Sequence, residues 1–524
     1  MALNLVHRMG TLYRAPGADG KGEQRAVVRK LASAAAGPNT WRLIRQKPIR
    51  TCGPHASPTS CLQSHVEEEK PKGKNGVGVY VMLPLDMVGP TGVGVVRRKA
   101  MAASLAALKC AGVEGVTVDV WWGLAEREAP GVYEWGWFAE LMEMVKRVGL
   151  KVRAVMSFHR CGGNDGDSVT IPLPRWVVEE MEKDPDLAYT DRWGRRNYEC
   201  VSLGCDALPV IKGRTPVRCY ADFMRAFRDH FAPLLGSTIV EIQVGMGPAG
   251  ELRYPSYLEI HGTRKFPGIG AFHCYDKYML SSLKAAAEAV GKPEWGHSGP
   301  TDAGTYNDYP NDAPFFRRDG GWRTPYGDFF LSWYSQSLLD HCERVLSSAA
   351  SIFPPAVTLS VKVAGIHWHY AAELTAGFHN NLLRDGYAAV ARALARHGAL
   401  LNFTCLEMRD AGQARAGARC GLQGSVRQVA AAARAAGVAG VGLSWENPLS
   451  RYDAAAYDRM AEAAREEGMV GFTYLRMGKE LFEPARWGRF VGFVRRMGEG
   501  REEEKKVAKR FVYDTRQLVN DANS

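Results

Sequence analysis

Val113 to Trp122 reads VEGVTVDVWW. Valine and threonine at close spacing favour a β-strand, and its nearly continuous apolar character is that of a strand covered on both faces. The run closes on Asp119, Trp121 and Trp122, so polar and aromatic groups gather at its carboxyl end. On either side stand RRKAMAASLAALKCAG (Arg97 to Gly112) and WFAELMEMVKRVG (Trp137 to Gly149), with apolar residues three and four apart, the period of an amphipathic helix. Helix, strand, helix is the βα pattern.

Seven further runs repeat it: VGVYVML from Val77, KVRAVMSF from Lys151, TIVEIQVG from Thr238, TLSVKVAG from Thr358, ALLNFTCL from Ala399, GVGLSW from Gly440 and GFTYLR from Gly471. Helical-period stretches fall between them, among them YADFMRAFRDHFAPLL, FFLSWYSQSLLDHCERVLSSA and AAAYDRMAEAAREEG. Eight units over roughly 400 residues predict an α/β fold of the (β/α)8 (TIM) barrel type with long βα loops. A doubly wound open sheet is the alternative. A barrel places its chemistry at the carboxyl ends of the strands, and those ends carry Asp86, Asp119, His159, Glu251, Lys362 with His367, Thr404 with Glu407, Glu446 and Arg476. An open sheet would gather function at one switch point instead.

The 524 residues are 46% hydrophobic and 23% charged, ordinary for a water-soluble domain, and no long apolar run suggests a membrane span. The net charge of +11 is concentrated at the front: residues 1 to 60 hold ten Lys and Arg against Asp19 and Glu23, which is +8 of the total. That arm lacks interleaved aromatic residues and is rich in Ala, Ser, Gly and Pro, so it reads as an organelle transit peptide rather than a nucleic-acid arm. Residues 1–70 are therefore expected to be a leader directing the chain to a plastid, 71–500 the barrel, and 501–524 a charged tail. Eleven scattered cysteines without a CxxC pair among those beyond the leader offer no disulfide framework or zinc ribbon.

The polar residues at the strand ends form the parts list of a sugar-cleaving site. Glycoside hydrolysis needs one carboxyl group that donates a proton and a second that is ionised. Glu251 follows the small-residue turn GMGPAG, with Tyr254, Pro255 and Tyr257 after it. Burial among such groups raises a carboxyl pKa, which makes Glu251 the candidate general acid. A strand-end glutamate paired with Arg253 is the alternative. Glu446, in GLSWENPLSRYD, is the candidate base, with Asn447 beside it as a partner for a sugar hydroxyl. The segment HRCGGNDGDSVTIP lacks both the phosphate-loop pattern and the calcium-loop spacing. It reads as a mobile lid carrying Asp167, with His159 reaching substrate from the strand before it. GIHWHY is read as sugar contact rather than a metal site.

The strings VEGVTVDVWWGLAE, MSFHRCGGNDGDSVTIPLPRWV, EIQVGMGPAGELRYPSY, GIHWHY, AELTAGF, LNFTCLEMRD and FTYLRM resemble those of plant β-amylases of glycoside hydrolase family 14, the plastid-type forms above all. The resemblance spans Val77 to about Gly500. It implies a (β/α)8 barrel that removes β-maltose from the non-reducing ends of α-1,4-glucans (starch and maltodextrin) with inversion, without cofactor or catalytic metal. It also implies Glu251 as acid, Glu446 as base, and Asp119, His159, Asp167, Lys362, His367, Thr404, Asn447 and Arg476 as substrate contacts. The chain is expected to act as a monomer without nucleic-acid or membrane partners. Inversion requires the two carboxyl groups about 6.5–9.5 Å apart, with room for a water.

Three departures from the family pattern support an alternative, a weakly active or inactive glucan- or maltose-binding protein. Arg160 and Asp165 replace glutamine and valine in the lid, Trp445 and Pro448 flank Glu446 and Asn447, and about five residues are missing after His369 by comparison with that pattern. Trp445 in particular needs room beside the base.

Overall fold

The protein is described as a computed structural model, over residues 76–87, 94–162, 169–258, 268–365, 369, 385–404, 421–436, 443–447 and 452–499. Eight parallel strands close on themselves: β1 Gly78–Met82, β2 Gly115–Trp121, β3 Lys151–Ser157, β4 Ile239–Val244, β5 Thr358–Val363, β6 Leu400–Thr404, β7 Leu443–Glu446 and β8 Gly471–Tyr474. Each pairs with the next, β1 pairs with β8, and the β4 to β5 pairing completes the ring, so this is the (β/α)8 barrel and not an open sheet. Every strand expected from the sequence is present.

A helix follows each strand: α1 Arg98–Cys110, α2 Gly136–Arg147, α3 Pro216–His230, α4 Pro325–Ile352, α5 Gly386–Ala395, α6 Leu422–Ala436, α7 Ala454–Glu466 and α8 over 484–499. Local chemistry sets several starts. Thr215 and Thr324 each accept a backbone N–H three residues on (3.1 Å from Arg218 and from Gly327), with proline at the first helical position. Asp385 and Asp453 cap α5 and α7 in the same way.

The strands are covered on both sides because their alternate residues serve two layers. In β2, Val116, Val118 and Val120 are fully buried in the core shared with the helices. The intervening positions face a barrel interior that is polar where most such interiors are aliphatic. Arg153 of β3 forms an ion pair with Glu241 of β4 (Nε to Oε2, 2.9 Å), donates to Thr473 Oγ1 (3.2 Å) and Ser444 Oγ (3.3 Å), and lies 3.8 Å over the Tyr80 ring. Above it Asn402 donates to Gln243 (2.6 Å). The guanidinium fits because β8 starts on Gly471, where a Cβ would stand 2.1 Å from Arg153 Nη2.

Two long insertions lie beyond the carboxyl ends of β3 and β4. The first carries the helix Arg175–Lys183 and an antiparallel pair, Ala188–Thr190 with Arg196–Val201. The second carries a two-residue strand, Glu251–Leu252, and the helix Lys277–Ala289. They are knitted together by Tyr275 N donating to Thr190 O (2.9 Å), Asn197 Nδ2 to Tyr257 O (3.0 Å) and Ser202 Oγ to Asp276 Oδ2 (3.0 Å). Those two-residue and six-residue strands, Glu251–Leu252 and β5, pair so that Glu251 sits beside Lys362.

Candidate active site

The turn that precedes Glu251 is built from small residues because its own backbone fills the space. A Cβ on Gly245 would lie 2.3 Å from the Met156 carbonyl oxygen, and one on Gly247 would lie 2.8 and 2.9 Å from those of Arg253 and Glu251. Ala249 takes a left-handed conformation (φ 55°), and its N–H donates to Glu199 Oε1 (2.7 Å), a carboxylate from the first insertion. The room at these two glycines is thus occupied by protein. Tyr254 likewise turns away: its ring stacks on Tyr334 (3.7 Å between centroids) and its hydroxyl donates to the Tyr334 carbonyl (2.9 Å).

Glu251 is 1% exposed and its Oε2 meets Arg253 Nε at 2.7 Å. Burial pushes this carboxyl up, while the Arg253 guanidinium and the Lys362 ammonium pull it down. The Glu251 and Arg253 pair was the alternative reading of this segment, and it coexists with the position at the barrel mouth.

Glu446, also 1% exposed, ends β7 beside Thr404 of β6 and Thr473 of β8, its register partners. Lys362 Nζ reaches its Oε1 at 2.8 Å from two strands away. The same lysine is the register partner of Glu251, so one ammonium contacts Glu446 and acts on Glu251 through its charge. Burial works against that charge, and the Glu446 and Glu251 carboxylates prevail and raise the lysine above its ordinary value. It stays an ammonium throughout the physiological range.

The remaining residues fall into two groups. His159 stands beside Gly250 and meets Trp121 edge to face (5.0 Å). Burial first, then Lys362 and Arg253, depress its imidazole to about 3, which keeps it neutral. Its Nδ1 is buried without a hydrogen-bond partner among the described residues. Asp119 receives Arg476 Nη1 at 3.2 Å, which joins β2 to the segment after β8. Asn447 is fully buried, with its amide exchanging two hydrogen bonds with the Leu475 backbone (2.8 and 2.9 Å). Asp167, His367 and Glu407 lie outside the described residues, as do Asp165, Pro448 and most of the segment after His369. Asp86 is half exposed and paired with Arg97 (3.2 Å).

Trp445 has its space. Neighbouring residues of a strand point to opposite faces, so with Glu446 turned inward the indole is turned outward. There it is fully buried edge to face against Phe403 (5.1 Å).

Two buried glutamates, one of them ion-paired to a lysine, stand at the carboxyl rim of a (β/α)8 barrel, an arrangement compatible with glycoside hydrolysis, and the profile of glycosyl hydrolase family 14 matches residues 80–503. The chain belongs to glycosyl hydrolase family 14. A rice (Oryza sativa subsp. japonica) family member named Beta-amylase 1, chloroplastic, is 63% identical and covers 91% of each chain. Another from rice, Beta-amylase 2, chloroplastic, is 57% identical over 100% of this chain and 99% of its own. Beta-amylase 1, chloroplastic, of Arabidopsis thaliana is 62% identical over 86% of this chain and 82% of its own. Among solved structures, the catalytic domain of the beta-amylase of Paenibacillus polymyxa superposes with a TM-score of 0.66 at 28% identity, over 80% of this chain and 98% of that domain. Within this family 14 barrel, Glu199 is a residue that the sequence left unassigned, and Arg253 entered only as the alternative partner of Glu251. The signal for Arg253 was its position two residues beyond the acid on a short strand, hence on the same face.

Proposed function

We propose that this chain is a plastid β-amylase, a monomer that hydrolyses α-1,4-glucans to β-maltose from their non-reducing ends by inversion. The observation that carries this reading is the arrangement of Glu251 and Glu446 at one barrel rim, with Lys362 the register partner of the first and the ion-pair partner of the second. Glu251 delivers a proton to the glycosidic oxygen. Glu446, whose Oε1 is held by Lys362, uses Oε2 to take a proton from the water that attacks the opposite face of the sugar. The neutral His159 offers its buried Nδ1 to a sugar hydroxyl, which relieves a polar group whose unmet hydrogen bond costs about 1–3 kcal/mol. Asp119, Thr404, Asn447 and Arg476, with Asp167 and His367, are assigned to the substrate, and residues 1–70 to the leader. Incubation of the purified protein with soluble starch should release maltose as the dominant product; glucose or mixed long oligosaccharides would refute the exo-acting maltohydrolase.

An acid that is ion-paired in the free protein must gain its proton before or during the reaction. A glucan covering the mouth removes water and raises a buried carboxyl, so binding is expected to take up about one proton near neutral pH. Calorimetric titration with a maltodextrin in buffers of different ionisation enthalpy measures this uptake. Binding with no proton exchange at any pH between the ordinary carboxyl range and neutrality would contradict it.

The binding-protein alternative drew on Trp445, and the indole stands on the far side of β7 from the base. Trp445→Ala is expected to lower stability by about 3–5 kcal/mol through the cavity it leaves, while Trp445→Phe keeps kcat/KM within about threefold of the parent. Urea unfolding and starch kinetics check the two effects. A Phe variant that folds normally but loses activity would place the ring in the reaction.

A further inference from the structure

The turn before Glu251 has a second anchor, on the side away from the barrel axis. His341 of α4 is buried, with Nδ1 2.8 Å from Asp206 Oδ2 and Nε2 2.9 Å from the Met246 carbonyl oxygen. Both partners are acceptors, and a ring nitrogen meets an acceptor favourably only when it carries a hydrogen. A neutral imidazole has one N–H, so it would leave one of these contacts as two opposed lone pairs. Both contacts are satisfied together only by the imidazolium.

We propose that His341 is a positioning residue for the acid: a protonated imidazole that ties the Met246 carbonyl, and through it the Glu251 turn, to the Asp206 carboxylate. This rests on the β-amylase reading of Glu251. The turn is short, from Met246 to Glu251, and it is held as well by the Gly245 N–H on the Met156 carbonyl (3.0 Å), by the Glu199 bond to Ala249 and by the pairing of Glu251–Leu252 with β5. Releasing Met246 removes one of these holds from the loop that sets where the carboxyl points. Such a displacement acts on proton delivery and leaves substrate contacts on the other strands in place.

Among the described residues the neighbouring cation is Arg344, on the same helix, which also donates to Asp206 Oδ2 (3.3 Å). The phenols of Tyr189, Tyr220 and Tyr254 and the thiol of Cys205, which face Asp206 from the insertions and α3, are all raised by burial and stay neutral. Burial pushes the His341 imidazole down, and the Asp206 carboxylate with the Met246 carbonyl outweighs it and holds it above the ordinary value. Its contribution to stability is therefore complete below about pH 6.5, where the unfolded histidine is also protonated, and is lost as pH rises through the folded value.

Two isosteric variants separate the two ring nitrogens. The glutamine amide nitrogen of His341→Gln can occupy the place of Nε2 and donate to Met246, whereas that of His341→Asn can occupy only the place of Nδ1 and reaches Asp206. For starch hydrolysis, His341→Asn should lose about tenfold to a hundredfold in kcat with KM within about twofold, and His341→Gln should restore kcat to within about threefold of the parent. Nitrogen NMR of the histidine-labelled parent, assigned by the signal missing from the Gln variant, should show both ring nitrogens protonated at pH 7. A folded Asn variant with parental kcat, or a ring with one protonated nitrogen at pH 7, would overturn the proposal. If the Asn variant does not fold, the NMR result and the Gln kinetics decide it. A parent that releases no maltose would instead remove the activity on which the role depends, a failure visible before any variant is made.

Discussion

Glu446→Gln and Glu251→Gln should each lower kcat for maltose release by about 10²- to 10⁴-fold, the share of a barrel reaction carried by general acid–base catalysis. The two losses should differ in character. Glu446→Gln removes the partner of Lys362, leaving a buried ammonium, so the variant also loses stability and its loss holds for every substrate. Glu251→Gln likewise leaves the buried Arg253 guanidinium without its carboxylate partner and costs stability, but of the chemistry it removes only the proton donor. An activated glycosyl substrate whose leaving group departs without a proton should therefore recover much of the rate in Glu251→Gln and none in Glu446→Gln. Steady-state kinetics on starch and on an aryl maltoside separate them. Equal rescue of both variants would exchange or dissolve the assigned roles, and unchanged starch hydrolysis in either would remove that residue from the mechanism.

The second large effect lies below the site, in the barrel interior. Arg153 and Glu241 are 7% and 6% exposed and 2.9 Å apart. Removing one member strands a charge in a dry interior, so Arg153→Met should cost about 3–5 kcal/mol. Replacing both, as Arg153→Met with Glu241→Leu, removes the stranded charge and should return most of that loss. Urea unfolding of the two single variants and the double variant completes the cycle. Additive losses would mean that the pair is not coupled. A fully stable Arg153→Met would mean that Ser444, Thr473 and the Tyr80 ring, which also meet the guanidinium, contribute nothing measurable.

This interior pair also marks where sequence reading stopped. The eight strands were legible because each is a short β-branched run between helical-period segments, a local signal. The placement of Asp119, His159, Glu251, Lys362, Thr404, Glu446 and Arg476 near one rim followed from the fold, since a barrel collects the carboxyl ends of its strands. What Arg153 touches could not be read locally, because Ser444 and Thr473 lie 291 and 320 residues away. Its inward direction was nonetheless written in KVRAVMSF, where the arginine alternates with Val152, Ala154 and Met156, all buried on the other face. The same alternation places Trp445 behind Glu446, and applying it would have removed the concern about crowding. Glu251 shows the opposite failure. Neighbouring aromatic residues suggested an apolar wall, yet Tyr254 packs into the insertion core, and the decisive neighbour is the arginine two residues on. Charge pairing opposes burial there, and the 2.7 Å contact is visible only in the geometry.

The central claim is that Glu251 and Glu446 act across a gap that admits one water, so that a single displacement reverses the configuration at the anomeric carbon. Proton NMR of the first maltose released from soluble starch, recorded before mutarotation, reads that configuration directly. The account predicts the β-anomer; initial release of α-maltose would mean a covalent intermediate or a different pair of carboxylates, and would contradict it.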